Sequence, residues 1–245
     1  MDLGLARRRA LVTASSKGIG RASAAVLIAE GAKVYISARE AKALETSARE
    51  IGAAGWSVAD LSKGGDPESL VEAAAGKLSG LDILVANAGG PPPGVLQSLP
   101  LESWEEAFHL VLMSAVRLAR AALPHLKRSD QGRIVFITSI SVRQPIPNLV
   151  LSNSLRAAVT GMAKTLSAEL VSDRITVNCL APDAIRTDAL RRLGDLSQME
   201  QRAPMKRLGD PEEVGAVCAF LCSRQAGYIT GQTLGIDGGS QLGVH

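Results

Sequence analysis

Aromatic side chains make up only 3% of this 245-residue chain, so its core has to be built mostly from Ala, Val, Leu and Ile. A strong charge of either sign is missing too. The formal net charge of +3 is too small to argue, by itself, for a nucleic-acid or membrane partner. Apolar runs are short, and none approaches the ~20 residues that a bilayer span needs. Arg7-Arg8-Arg9 is followed by Ala10–Thr13, an apolar run far too short for a secretory signal. The basic triplet therefore reads as a solvated lead-in to a first strand. Cysteine is scarce as well. Cys218 and Cys222 lie one helical turn apart on an apolar stretch with no His nearby, so no metal site is expected. Together with Cys179 they read as reduced core residues of a cytoplasmic protein. His109, His125 and His245 have no evident triad or metal partner.

What is present is alternation. Residues are 46% hydrophobic and 21% charged, which suits one domain over residues 1–245 with a full core. Short β-rich runs are expected as strands over 10–13, 33–37, 56–59, 83–85, 133–138, 176–180 and 233–236. Longer Ala-rich runs between them are expected as helices over 19–29, 40–51, 67–78, 103–126, 152–171 and 211–222. Asp66-Pro67 and Asp210-Pro211 carry helix-start signals, an acid that can cap and a Pro suited to the first turn. Strands alternating with helices predict an α/β fold: a doubly wound sheet of seven mostly parallel strands, covered on both faces. Ligands of such sheets lie beyond the carboxyl ends of the strands. The Pro-rich loop 89–94 and the poorly periodic stretch 187–207 both leave such ends.

Thr13-Ala14-Ser15-Ser16-Lys17-Gly18-Ile19-Gly20 joins the first strand to the first helix. Its glycines permit a tight turn and a close backbone approach, and the helix N-terminus can hold a pyrophosphate. With Ala86-Asn87-Ala88-Gly89, the Ser139 segment, Asn178-Cys179-Leu180-Ala181-Pro182, Arg207–Val214, Tyr228–Thr233 and Asp237-Gly238-Gly239, it resembles the short-chain dehydrogenase/reductase family over nearly the whole chain. The closest look is to 3-oxoacyl-acyl-carrier-protein reductases. The resemblance implies a single Rossmann-like NAD(P)-binding domain with a substrate lid at 187–207. It implies cofactor contacts from Thr13, Ser15, Ser16, Lys17, Gly18, Ile19, Gly20, Asp60, Leu61, Asn87, Ala88, Gly89, Arg156, Pro182, Ile185 and Thr187. Asp60 matches the residue that meets adenine. Ala14 stands where the family usually has Gly, which is tolerated if φ stays negative. NAD sites of this type place an acid after the second strand to bind the ribose 2′-hydroxyl. Here Ala38-Arg39 occupies that place and Lys17 adds a second cation, so NADP(H) is favoured over NAD(H).

The proton-transfer residues that the resemblance implies are mostly replaced. Ser139 matches the family's Ser. The Tyr position carries Ser152, the Lys position Arg156, and the Asn position Val111. Ser is a weaker acid than Tyr and too short for its place. The guanidinium of Arg156 holds its proton, and Val111 has no group to anchor a water. Asp183, where relatives have Gly, brings a carboxylate that can pair with Arg156, act as a replacement acid, or simply face solvent. The basic excess of the lid suits either an anionic substrate or carrier, or a solvated face. Two functions stay open. One is an oxidoreductase on a carbonyl or alcohol, its small-molecule or acyl-carrier substrate unspecified. The other is a non-catalytic NADP(H)-binding sensor or partner subunit. No nucleic acid or membrane is expected, and the resemblance implies a homotetramer.

Overall fold

A computed structural model describes residues 2–243. Strand β1 (Arg9–Val12) leads through the glycine turn to helix α1 (Gly18–Ala29), then β2 (Lys33–Ala38), α2 (Ala41–Ile51), β3 (Gly55–Val58), α3 (Asp66–Leu78) and β4 (Ile83–Ala86). The second half runs α4 (Leu101–Ala107), a π-helical turn (Phe108–Met113), α5 (Ser114–Leu126), β5 (Arg133–Ile137), α6 (Val150–Glu169), β6 (Thr176–Pro182), α7 (Asp188–Arg191), α8 (Leu196–Arg202), α9 (Pro211–Cys222) and β7 (Thr233–Ile236). The sheet has seven strands in the order β3-β2-β1-β4-β5-β6-β7. Every pairing is parallel.

The central strands β4, β5 and β6 are buried along their whole length, which is why they read as unbroken apolar runs. One face of the sheet packs on α3, α5 and α6 through residues such as Val71, Leu118 and Leu155. The other packs on α1, α2 and α9 through Leu27, Leu44 and Cys218. Cys179, Cys218 and Cys222 are all free and buried. The direction of winding reverses between β1 and β4, so a crevice opens beyond their carboxyl ends.

Several boundaries differ from expectation for local reasons. Asp66 is the first residue of α3 rather than its cap, because its carboxylate accepts the Asp60 N–H at 2.9 Å. At α9, Pro211 takes the first turn and the Glu213 carboxylate accepts the Asp210 N–H at 2.8 Å. The run Leu101–Leu126 is, contrary to expectation, long and apolar enough to cross a bilayer. It is amphipathic, however, and buries Ala107, Val111, Ala115, Leu118 and Ala122 against the sheet. His125 hydrogen-bonds Glu72 at 3.0 Å, and His109 meets Phe108 edge to face. His245 lies outside the described residues.

Of the basic triplet only Arg7 is exposed as a solvated lead-in would be; Arg8 and Arg9 are engaged. Arg8 pairs with Asp130. Arg9 grips the buried Asp82 with its backbone N–H (2.9 Å), Nε (2.8 Å) and Nη2 (2.7 Å), and Ser129 Oγ donates to the same carboxylate at 2.6 Å. This ties the starts of β1 and β4 to the lead-in of β5. Burial opposes the Asp82 charge, but the hydrogen bonds from Arg9 and Ser129 outweigh it and hold the carboxyl below its ordinary value of 3.8. A depressed folded-state pKa stabilises the fold above the unfolded value and loses that contribution as pH falls through the folded one. Asp82→Asn is therefore expected to cost about 3 kcal/mol in urea unfolding at pH 7, with the gap to wild type narrowing in acid as the pH falls below the ordinary carboxylate value and through the lowered one. An equal gap at pH 7 and in acid would show that the carboxylate charge is not what matters.

Candidate cofactor and active site

The glycine turn is braced from the β4 side. Thr13 Oγ1 donates to the Asn87 carbonyl at 2.6 Å and accepts the Asn87 N–H at 2.9 Å, while Asn87 Nδ2 donates to the Ala14 carbonyl at 3.1 Å. Ser15 is buried and donates its hydroxyl to the Val12 carbonyl at 2.7 Å, so it shapes the turn from inside. Gly18 has φ +58°. A Cβ on Gly20 would lie 2.5 Å from the Ala14 oxygen and 2.8 Å from Asn87 Nδ2, so only Gly fits there. No side chain caps α1. The N–H groups of Gly18, Ile19 and Gly20 thus form an open helix end suited to a phosphate.

Ala14 departs from expectation. Its φ is +47°, in the left-handed region, because the turn needs that conformation whether or not the residue is Gly. The strain is worth about 1 kcal/mol. Ala14→Gly should therefore raise the melting temperature by about 2–4 °C. A lower melting temperature in a thermal scan would mean that the Ala14 methyl makes packing contacts that outweigh the strain.

Arg39, just past β2, is exposed and has no ion pair or hydrogen bond among the described residues. Lys17 is also exposed and approaches Asp188 of the 187–207 segment at 3.9 Å. A shallow groove of about 370 Å³ runs between the glycine turn and α2, lined by Ser16, Glu40, Lys42, Thr46 and Glu50 among others. Sequence reasoning passed over Glu40, Lys42 and Thr46. Their spacing on the first turns of a helix that follows Arg39 was the available signal. Asp60 is engaged locally, accepting Ser62 N–H at 3.1 Å and Ser62 Oγ at 2.8 Å. Burial opposes its charge, but the Ser62 hydrogen bonds and the field of Arg39 prevail and hold the carboxyl below its ordinary value. Leu61 is buried, Asn87 and Ala88 are half-buried, and Gly89 is exposed at the mouth of the crevice.

The expected catalytic residues gather at the ends of β5 and β6 and on α6. Ser139 follows β5 and its Oγ accepts the Ser141 N–H at 3.2 Å. Ser152 is half-buried on α6 and has no hydrogen bond among the described residues. One turn later Arg156 is only 9% exposed. Its Nη1 donates to the carbonyls of Ile137 at 3.0 Å and Thr138 at 3.3 Å. Burial pushes its pKa down to about 10, and among the described residues no carboxylate pairs with it. Val111 is buried within the π-helical turn and, with Asn87, Ser114 and Arg156, lines a narrow cavity of about 20 Å³.

Asp183 does not pair with Arg156. Its carboxylate accepts the Ser240 hydroxyl at 2.5 Å, and its N–H extends the β6–β7 pairing by donating to Ile236 at 3.1 Å. Pro182 ends β6, and Ile185 is buried where it bridges to Gly209. That bridge closes the base of the 187–207 segment, which contains two short helices rather than a loop alone. Thr187 caps α7, and its methyl would lie 3.4 Å from a Cβ on Gly18, so the segment starts against the glycine turn. Two of its five cations are ion-paired, Arg207 with Glu213 at 2.7 Å and Arg191 with Asp188 at 3.4 Å, and Arg186 just before it pairs with Glu200 at 2.6 Å.

Residues 13–241 match the family model described as enoyl-(acyl carrier protein) reductase. Dehydrogenase/reductase SDR family member 4 of Bos taurus is 36% identical, over 97% of this chain and 90% of its own. The 3-oxoacyl-[acyl-carrier-protein] reductase FabG of Vibrio cholerae is 34% identical over 95% and 97%. The crystal structure of L-sorbose reductase from Gluconobacter frateurii, complexed with NADPH and L-sorbose, superposes with a TM-score of 0.93 at 30% identity over 100% of both chains. A match along almost the full sequence, on the same winding of strands and helices, leaves one conclusion: the chain belongs to the short-chain dehydrogenase/reductase family.

Proposed function

We propose that the protein is an NADP(H)-dependent oxidoreductase acting on a carbonyl or alcohol, with an altered proton-transfer site. The observation that carries this reading is the cradle formed by Gly18, Gly20, Thr13 and Asn87, which has room for backbone contact and an open helix end for a pyrophosphate. Arg39, exposed and unpaired among the described residues, supports the 2′-phosphate of NADP(H) over NAD(H). When bound, the nicotinamide supplies or accepts a hydride. The chain's own residues then have limited tasks. Ser139 orients the substrate oxygen. Arg156 supplies positive charge behind it but keeps its proton. Ser152 is too short to take a phenol's place, and the Asp183 carboxylate is already held by Ser240. Solvent water is the proton source in this reading.

Val111 and Arg156 favour a second reading, a non-catalytic NADP(H)-binding sensor or partner subunit. One is apolar where the family's roles call for a polar group, and the other directs Nη1 at strand carbonyls. Fluorescence titration with NADPH and NADH, followed by oxidation of bound NADPH with a carbonyl panel, separates the two. Binding with turnover supports the enzyme, and binding without turnover supports the sensor. Absence of binding rejects both. In either case a homotetramer is proposed, since the outward face of α6 presents exposed Ala157, Ala158 and Gly161, which allow close helix packing. Light scattering that finds a monomer rejects that assembly.

A further inference from the structure

We propose that Asp183 is a positioning residue: through Ser240 it fixes the 237–241 turn, and that turn is the seat on which the far end of the 187–207 segment closes over the crevice. What the closure serves rests on the oxidoreductase reading; the closure itself does not. From 186 to 207 no residue is buried, although Ile185 and Leu208 on either side are only 3% and 1% exposed. The base is fastened through the backbone. Arg186 N–H donates to the Gly209 carbonyl at 2.8 Å, and Gly209 N–H to that of Ala184 at 3.0 Å. A segment with no apolar anchor in the core opens at low cost, so its position is set by the few surface contacts it makes.

At the far end those contacts fall on a pair of glycines. A Cβ on Gly238 would meet Met205 Cγ and Sδ at 3.5 Å, and one on Gly239 would meet Pro204 Cβ at 3.9 Å. Both glycines are left-handed, with φ +58° and +84°. Asp237 winds the turn on itself by accepting the N–H groups of Gly239 at 3.1 Å and Gln241 at 2.9 Å. Such a turn has a fixed shape but still needs a tie to the sheet. Asp183 supplies it. It follows β6 directly, its N–H extends the pairing to Ile236 of β7, and its carboxylate accepts the Ser240 hydroxyl at 2.5 Å. Asp183 and Ser240 are both half-buried, and a hydrogen bond to a carboxylate is stronger than a neutral one. The contacts of Arg143 with Gln241 and of Gln144 with Leu242, both at 3.3 Å, are exposed and hold only the chain at the far side of the turn.

Limited trypsin digestion of the folded wild-type protein reads the closure without any ligand. Arg202 and Lys206 flank the seat, and cleavage there tracks the open population when opening is fast relative to cleavage. Ser240→Ala and Asp183→Ala are each expected to speed cleavage at Arg202 and Lys206 about tenfold, and the double variant no more than either alone. Asp183→Asn, whose amide oxygen still accepts the hydroxyl, should restore most of the protection. Cleavage at Lys63, in the exposed loop after β3, should not change. In NADPH oxidation with a carbonyl, Ser240→Ala should raise KM about fivefold and leave kcat within about twofold, because a loosened segment gives up binding that is uniform through the reaction. Unchanged cleavage in folded variants, additive effects in the double variant, equal acceleration at Lys63, or turnover with an unmoved KM would overturn the proposal. If wild type binds NADPH without turnover, the enzyme reading falls, while the digestion still decides the closure.

Discussion

Replacing three residues together, Val111→Asn, Ser152→Tyr and Arg156→Lys, is expected to raise turnover of a carbonyl substrate by about 10²–10⁴-fold, the range a positioned acid–base group contributes. The reasoning is geometric. Ser152 and Arg156 lie one turn apart on α6, so side chains at these two positions project from the same helical face. Arg156 and Val111 line one cavity, so a Lys and an Asn placed there can share a water. A phenol at position 152 with an ammonium one turn away has the acidity that a serine hydroxyl lacks. Ser152→Tyr alone should recover far less, because Arg156 directs Nη1 at the Ile137 and Thr138 carbonyls and cannot pass on a proton. Groups that act as one unit are strongly non-additive, so the triple variant should exceed the product of the single effects. NADPH affinity should change little, since the glycine turn and Arg39 are untouched. Steady-state NADPH oxidation with a fixed carbonyl panel reads the outcome. A folded triple variant that binds NADPH and shows no gain would mean that the pocket walls have diverged along with the three side chains.

How much of this was legible in the sequence depended on the range of the interaction. Strands β4, β5 and β6 were legible because a strand buried on both faces must be apolar throughout. The extension of β6 to Pro182 was not, because Pro lacks an N–H and reads as a stop. At the end of the strand the pairing to β7 runs through its neighbour, Asp183 donating to the Ile236 carbonyl, so the missing Pro182 N–H breaks no bond there. The glycine turn was legible from Gly18 and Gly20, but the positive φ of Ala14 was not, since residue type alone does not fix a dihedral. Arg9 with Asp82, and Asp183 with Ser240, are separated by 73 and 57 residues, and no local pattern announces them. The π-helical turn that carries Val111 was equally hidden, because a periodic apolar face tolerates one widened turn. The identities at 111, 152 and 156 could be read at once. The direction taken by the Arg156 guanidinium needed the three-dimensional positions of the β5 carbonyls.

Cofactor choice is where a charge change should speak most directly. Arg39→Asp combined with Lys17→Ala is expected to lower the ratio of NADPH to NADH affinity by about 10²-fold. Each hydrogen bond to a charged group is worth about 1.5–3 kcal/mol, and 1.4 kcal/mol is a factor of ten. The two residues should contribute unequally. Arg39 has no ion pair or hydrogen bond among the described residues, only the field it shares with Asp60, and an Asp there would repel a 2′-phosphate while accepting from a ribose 2′-hydroxyl. Lys17 is well exposed and lies 3.9 Å from Asp188, so part of its field is already balanced, and Lys17→Ala alone should change the ratio by about threefold or less. Glu40 lines the neighbouring groove, so an acid already stands near this end of the crevice and NADH should keep measurable affinity in wild type. Raising salt should weaken NADPH binding more than NADH binding in wild type, and should do so less in the double variant, because the lost contact is electrostatic. Fluorescence titrations with both dinucleotides at two ionic strengths give all four numbers. An unchanged ratio would remove Arg39 and Lys17 from recognition together, and Lys42, the remaining cation in the groove, would then be the residue to change.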